Sequence, residues 1–283
     1  MRYLQNEKIG NVMKKDNLQK ILTDLKENNF EPANAIDYDS LAMYMFEYIG
    51  DTNPILRDGL VYETYMYFCE NRLLSDECMR NLFYLCQDTN HMLLELGSQS
   101  GDSVFVRSFS ILLLVGLVDC HLSASFLTNA DILGLQKLLC RCYVLEQNLI
   151  GYDDKKGWAH IVAHGADLLA VLAQNGCIGK EEALEILDAT TIKICQGKHA
   201  YIDNEPWRIS QVIVSIMKRK ILSEAEWKSW LNRIQISASE LYSIEWVHSR
   251  TNVDNFLRVL YFSILNLDGK NKLLMEIENR MKK

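Results

Sequence analysis

The feature that most constrains this chain is an internal period of about fifty residues. Five similar phrases open apolar helical stretches: Ile55-Leu56-Arg57, Phe105-Val106-Arg107, Trp158-Ala159-His160, Pro206-Trp207-Arg208 and Phe256-Leu257-Arg258. Each ends on a residue able to carry positive charge, and these are 50, 53, 48 and 50 positions apart. Each phrase leads into one helix, a short polar turn and a second helix. The turns Leu74-Ser75, Leu127-Thr128, Ile178-Gly179 and Leu222-Ser223 keep a similar beat. One such pair cannot bury its apolar face alone, whereas stacked pairs can. The unit is slightly longer than a HEAT or armadillo repeat of roughly 40–47 residues. The period therefore predicts an all-α chain, an α/α superhelix (HEAT/armadillo-like solenoid) of about six antiparallel helix pairs.

Local signals agree. Asn53 before Pro54 reads as an N-cap and first helical position, where proline's missing N–H costs nothing. Ser223-Glu224-Ala225-Glu226 is a capping box, and Thr128-Asn129-Ala130-Asp131 a weaker relative of it. Gly97, Gly151 and Gly197 are placed to close the helices before them. Apolar spacing predicts about twelve helices and no strand: roughly 16–28, 38–49, 54–71, 76–95, 103–121, 129–149, 158–175, 180–196, 206–220, 224–240, 251–266 and 271–282. The chain reads as a single helical-repeat domain over 1–283, with a polar N-terminal segment carrying one helix over 1–35 and the solenoid over 36–283.

Composition narrows the function classes. Hydrophobic residues make up 48% of the chain, and only 3 prolines and 14 glycines interrupt it, so a large helical core can form. A net charge of −7 argues against a nucleic-acid partner, because phosphate backbones are gripped by clustered positive charge. The longest apolar run, Ile111 to Val118, would rise only about 12 Å as helix against roughly 30 Å of hydrocarbon, so a buried helix is expected and no membrane partner. The polar, lysine-rich start lacks the apolar stretch of a secretion signal. The 8 cysteines form no C-x-x-C pair and mostly lie in apolar stretches, which predicts reduced thiols in a cytoplasmic protein.

The sharpest motif runs from Gly157 to Asp167 and reads G-W-A-H-I-V-A-H-G-A-D. Within a helix over 158–175, His160, His164 and Asp167 fall at i, i+4 and i+7 and share one face. Such a trio can chelate zinc or iron, and the two histidines can work as a general acid–base pair. It can equally be two partly buried histidines hydrogen-bonded to Asp167 and to neighbouring helices. His160, His164 and Asp167 are thus the candidate catalytic or metal-ligating residues, with Glu205 the best further ligand. The motif is not H-E-x-x-H, and no cofactor is expected unless this site takes zinc or iron. Trp158, Val162 and Leu169 form the stripe expected to face the core. Gly165, inside the helix, costs roughly 1 kcal/mol relative to alanine, so either a close-packed helix or a ligand should fill its space.

Stacking would align Arg57, Arg107, His160, Arg208 and Arg258 as a row lining the groove. Aligned guanidinium groups capture carboxylates or phosphates. Alternatively, each pairs with an acid near its own helix start, from Asp58, Asp102, Asp167, Glu205 and Asp254, and locks unit to unit. Tyr62, Tyr65 and Tyr67, and the pair Trp227 and Trp230, are expected as packing. No phosphate loop, nucleotide fingerprint, serine-hydrolase elbow or kinase signature is present.

Several phrases occur together in order: Leu56-Arg57-Asp58, the run D-S-V-F-V-R-S-F-S from Asp102 to Ser110, the G-W-A-H…H-G-A-D-L-L run from Gly157 to Leu169, and Asn255-Phe256-Leu257-Arg258. In these the chain resembles a bacterial domain-of-unknown-function family, number twenty-seven eighty-five in that series, over roughly residues 35–268. The resemblance implies a helical bacterial protein of similar length, with Arg107, His160, His164, Asp167 and Arg258 in the family pattern. It transfers no reaction. Around Glu205-Pro206-Trp207 the chain departs from the family's more acidic phrase, which weakens a role for Glu205. Two function classes follow. One is a non-catalytic helical-repeat protein that holds a peptide or protein partner, acidic if the cations are free, in a concave groove lined by Arg and His. The alternative is a metal-dependent hydrolase centred on His160, His164 and Asp167.

Overall fold

The structure, a computed structural model, describes residues 14–30, 36–237 and 240–282. Residues 1–13 and 31–35 of the expected N-terminal segment lie outside the described residues.

Among the described residues the fold is all-α apart from one short hairpin. After α1 (Lys15–Glu27), Asp37 accepts from the Ser40 amide to start α2 (Tyr38–Phe46). Asn53 accepts from the Ile55 amide at α3 (Pro54–Leu56), which runs without a break through a π-helical turn, Arg57–Tyr62, into α4 (Glu63–Glu70). Ser75 caps α5 (Asp76–Leu85), and α6 (Ser103–Ser123) follows. Capping boxes open α7 (Asn129–Leu145) and, later, α11 (Glu224–Arg233). Between them lie a two-stranded antiparallel hairpin, β1 (Tyr152–Asp153) and β2 (Gly157–Trp158), then α8 (Ile161–Leu172), α9 (Lys180–Cys195) and α10 (Glu205–Arg219). The chain ends in α12 (Ile244–Leu267) and α13 (Leu273–Met281).

Several boundaries differ from those the spacing predicts, and three of them have a clear local cause. The helix expected over 76–95 stops at Leu85. Beyond it Asp88 accepts from the Asn90 amide and pairs with His91, a side-chain turn that competes with helix. The helix expected from 158 begins at Ile161, because Asp153 accepts from the amides of Lys155 and Lys156 to turn the hairpin and Gly157 has φ +75°. α11 ends at Arg233, short of 240. α12 begins at Ile244 and not 251, because Ser243 caps it by accepting from the Trp246 amide. Gly97 and Gly151 lie well beyond the ends of α5 and α7, whereas Gly197 directly follows the C-cap Gln196 of α9.

Packing partners follow chain order. α4 lies against α6, α6 against α8, α8 against α10 and α10 against α12. In a second set α7 lies against α9, α9 against α11 and α11 against α13. Apolar side chains of these helices form one continuous core, including Leu113 and Leu117 of α6, Leu168 and Leu172 of α8, Ile213 and Ile216 of α10, and Phe256 and Leu260 of α12. α6 is long and apolar enough to cross a membrane, and 78% of its most apolar stretch is buried inside the protein.

A recurring clasp ties these neighbours. The last carbonyls of a helix have no intrahelical donor, and a cation there also meets the negative end of the dipole. Lys193 on α9 donates to the Glu146 carbonyl at the end of α7, 2.7 Å away. Arg219 on α10 donates to the carbonyls of Ala173, Asn175 and Ile178 beyond α8. Arg280 on α13 donates to those of Leu231 and Ile234 at the end of α11.

Candidate functional site

The residues of the expected cation row do not point one way. Arg57 is fully buried between the rings of Phe105 and Phe109, its guanidinium carbon 4.5 and 4.6 Å from their centroids. It donates to Asp58 and to the carbonyls of Asp51, Lys156 and Trp158, so it reaches forward and pins the hairpin. Burial pulls the Arg57 pKa down and pushes that of Asp58 up, and their mutual attraction opposes both shifts. Arg107 is also fully buried, and its acid partner lies within its own unit. Its Nε and Nη2 donate to the two oxygens of Glu146 at 2.7 and 2.9 Å, and Nη1 donates to Ser103 Oγ and the Leu94 carbonyl. Arg208 reaches backward and donates to Asp167 Oδ2 at 2.6 Å. Arg258 lies in the middle of α12 and is exposed. Three of the four arginines thus pair with acids, but Arg107 uses Glu146 and not Asp102, and Arg208 uses Asp167 and not Glu205.

His160 is not on a helix face. It is the N-cap of α8 in the left-handed region, with φ +50°, and its amide and that of Ala159 both donate to the Gly151 carbonyl. Its ring stacks on Trp158 at 4.9 Å and meets His164 edge-on at 5.6 Å. His160 Nε2 lies 2.7 Å from the Asp203 carbonyl, which accepts only, so this nitrogen carries the proton. The carboxylate of Glu205 is 3.9 Å from the same nitrogen and itself accepts from the Asp203 amide. Burial lowers the His160 pKa and raises that of Glu205.

His164 is buried beneath. Its Nδ1 lies 2.8 Å from Ser108 Oγ, and Ser108 gives its one hydroxyl proton to the Ala159 carbonyl. His164 Nδ1–H must therefore donate to the serine, the reverse of the arrangement that activates a serine nucleophile. Burial, with His160 and Arg208 adding to it, holds the His164 pKa well below its usual value, so the ring is neutral at pH 7. Burial raises the Asp167 pKa, and Arg208 counters it. The structure brings His160 and His164 together but commits Asp167 to Arg208. Among the described residues no group of three or more His, Cys, Asp or Glu side chains is placed to hold a metal ion. At Gly165 the Tyr143 ring fills the space, 2.6 Å from where a Cβ would sit, and the Tyr143 hydroxyl donates to the Val162 carbonyl.

Trp158, expected in the core, is 41% exposed and meets the exposed Tyr152 ring at 4.8 Å. Trp207 is 43% exposed and lies 5.6 Å from the Arg208 guanidinium. Ile202 is exposed beside Asp203, which holds His160. Ile55 is exposed next to Pro54, against which Gly157 packs. Sequence reasoning passed over Ser108 and Tyr152, although the serine sits inside the quoted R-S-F-S phrase. Lys193 was missed for want of a local signal: its partner carbonyl is 47 residues away. Two clefts lie apart from the histidines. One of about 470 Å³ is lined by Asp39, Glu47, Glu77 and Met43, the other of about 660 Å³ by Ile234, Arg250, Asp254 and Arg280.

The model of a family described as "Protein of unknown function (DUF2785)" matches residues 92–262. The matched span holds Arg107, His160, His164, Asp167, Arg208 and Arg258 and leaves Arg57 outside. No curated protein and no solved structure matches significantly. With more than half of its length inside that match, the chain belongs to the DUF2785 family.

Proposed function

We propose that the protein is a binding module: an α/α solenoid that holds a peptide or protein partner across the edge formed by the hairpin and the starts of α8 and α10. The ordered neighbours α4, α6, α8, α10 and α12 and the repeated clasps support the solenoid reading. One observation carries the binding reading. Tyr152, Trp158, Ile202 and Trp207 are all exposed along this edge, beside the partly exposed Arg208. Exposed apolar clusters rimmed by polar groups mark interaction surfaces, and Trp, Tyr and Arg supply most of the energy there. In this reading Arg57 and Arg107, being buried and paired, do not touch the ligand, and Arg57 braces the edge by holding the hairpin carbonyls of Lys156 and Trp158. Arg208 offers its outer face to an acidic group on the partner. Eight unpaired cysteines suit a reducing, cytoplasmic setting.

Panning a random peptide library on the chain tests this, with Trp158→Ala/Trp207→Ala as counter-screen. Recovered peptides should combine apolar residues with an acid and fail on the variant. Recovery of none, or of peptides that hold both proteins equally, contradicts the reading.

A further inference from the structure

A second surface, on the last long helix, is independent of the aromatic edge. α12 buries Asn252, Phe256, Leu260 and Ile264. At 3.6 residues per turn the opposite side carries, in order, Ile244, Val247, Thr251, Arg258, Phe262 and Leu265. Its four apolar members are all exposed, Ile244 to 64% and Phe262 to 62%. Single exposed apolar residues are ordinary, but a continuous stripe is not. At its centre Arg258 donates only to the Asn255 amide oxygen, at 3.2 Å, and has no carboxylate within ion-pair distance among the described residues. Asp254, beside the stripe, is held only by a loose 3.6 Å pair to Arg250.

The stripe has the same character read from either end: two apolar residues, a polar centre, two apolar residues. A second α12 laid antiparallel about its midpoint would set Ile244 against Leu265 and Val247 against Phe262. It would also bring Arg258 beside Thr251 and Asp254 of the other copy, supplying the missing carboxylate. A two-fold interface requires such a self-complementary patch. The 24-residue helix is about 36 Å long, the scale of an interface burying roughly 800 Å² on each partner. We propose that the chain forms a homodimer by packing this face of α12 antiparallel against a second copy of itself.

Sedimentation of the full chain over a concentration series tests the proposal. The wild type should approach twice its 32.7 kDa mass. Val247→Asp/Phe262→Asp should weaken the dimer by about tenfold or more with the helical circular dichroism unchanged. Arg258→Asp and Asp254→Arg should each weaken it, and the two together should restore it. Oxidised Ile244→Cys/Leu265→Cys should give a covalent dimer. A wild type still monomeric at about 100 µM overturns the proposal. So do a dimer indifferent to Val247→Asp/Phe262→Asp and open-ended growth into longer assemblies.

Discussion

Ser108 Oγ and His164 Nδ1 lie 2.8 Å apart, and the direction of the proton between them decides what the pair can do. The serine proton is committed to the Ala159 carbonyl, so the imidazole donates and the serine accepts. The pair is a brace between α6 and α8, set beneath the His160 ring.

That brace predicts an acid sensitivity. His164 keeps a pKa well below its usual value when folded, whereas in the unfolded chain it protonates near 6.5. Below about pH 6.5 the unfolded state binds the extra proton, so stability falls with pH at up to about 1.4 kcal/mol per unit for this group. Urea unfolding between pH 7 and 5 should show that slope, reduced in His164→Gln. An equal slope in both proteins would refute the assignment.

Arg107 and Glu146 form a buried bidentate pair. Arg107→Ala strands a buried carboxylate and should cost about 3–5 kcal/mol, whereas Arg107→Met with Glu146→Leu should recover much of it. A loss below about 1 kcal/mol for the single variant would mean the pair is solvated.

Lys193 acts in the alkaline range. Burial draws its pKa down to about 8, against 10.5 for the free side chain. Between these values the unfolded chain holds a proton the folded chain has lost, so this group makes stability rise with pH. Buried thiols such as Cys69, raised to about 12, act in the opposite sense. The difference between wild type and Lys193→Met isolates the lysine: the wild type should gain stability relative to the variant between about pH 8 and pH 10. A constant difference would show that the amine titrates normally.

Arg219 donates to three carbonyls beyond α8. Arg219→Ala should cost about 1–3 kcal/mol and speed amide exchange at the end of α8 before other regions. Unchanged exchange there would show that the clasp does not hold the helix end.

Much of this was legible where local chemistry decides. Asn53-Pro54 and the Ser223–Glu226 box start helices as their residues require, and the fifty-residue beat anticipates the order of neighbours from α4 to α12. The site was less legible because distant groups set it. His160 is turned out of the helix by hydrogen bonds to Gly151 and by Arg57, which is 101 residues from the Trp158 carbonyl it binds. That turn exposes Trp158 and breaks the i, i+4, i+7 geometry. Glu146 could not be matched to Arg107 from spacing, since the two are 39 residues apart on different elements.

The central claim is that the exposed aromatic edge, and not the buried cations and histidines, meets the partner. Fluorescence anisotropy of a labelled, library-selected peptide tests it most directly, titrated with wild type, Trp158→Ala/Trp207→Ala and Arg258→Ala. The account predicts that the tryptophan variant weakens binding by about tenfold or more, while Arg258→Ala leaves it unchanged and all three proteins keep the same helical circular dichroism. Equal affinity for wild type and the tryptophan variant would contradict it.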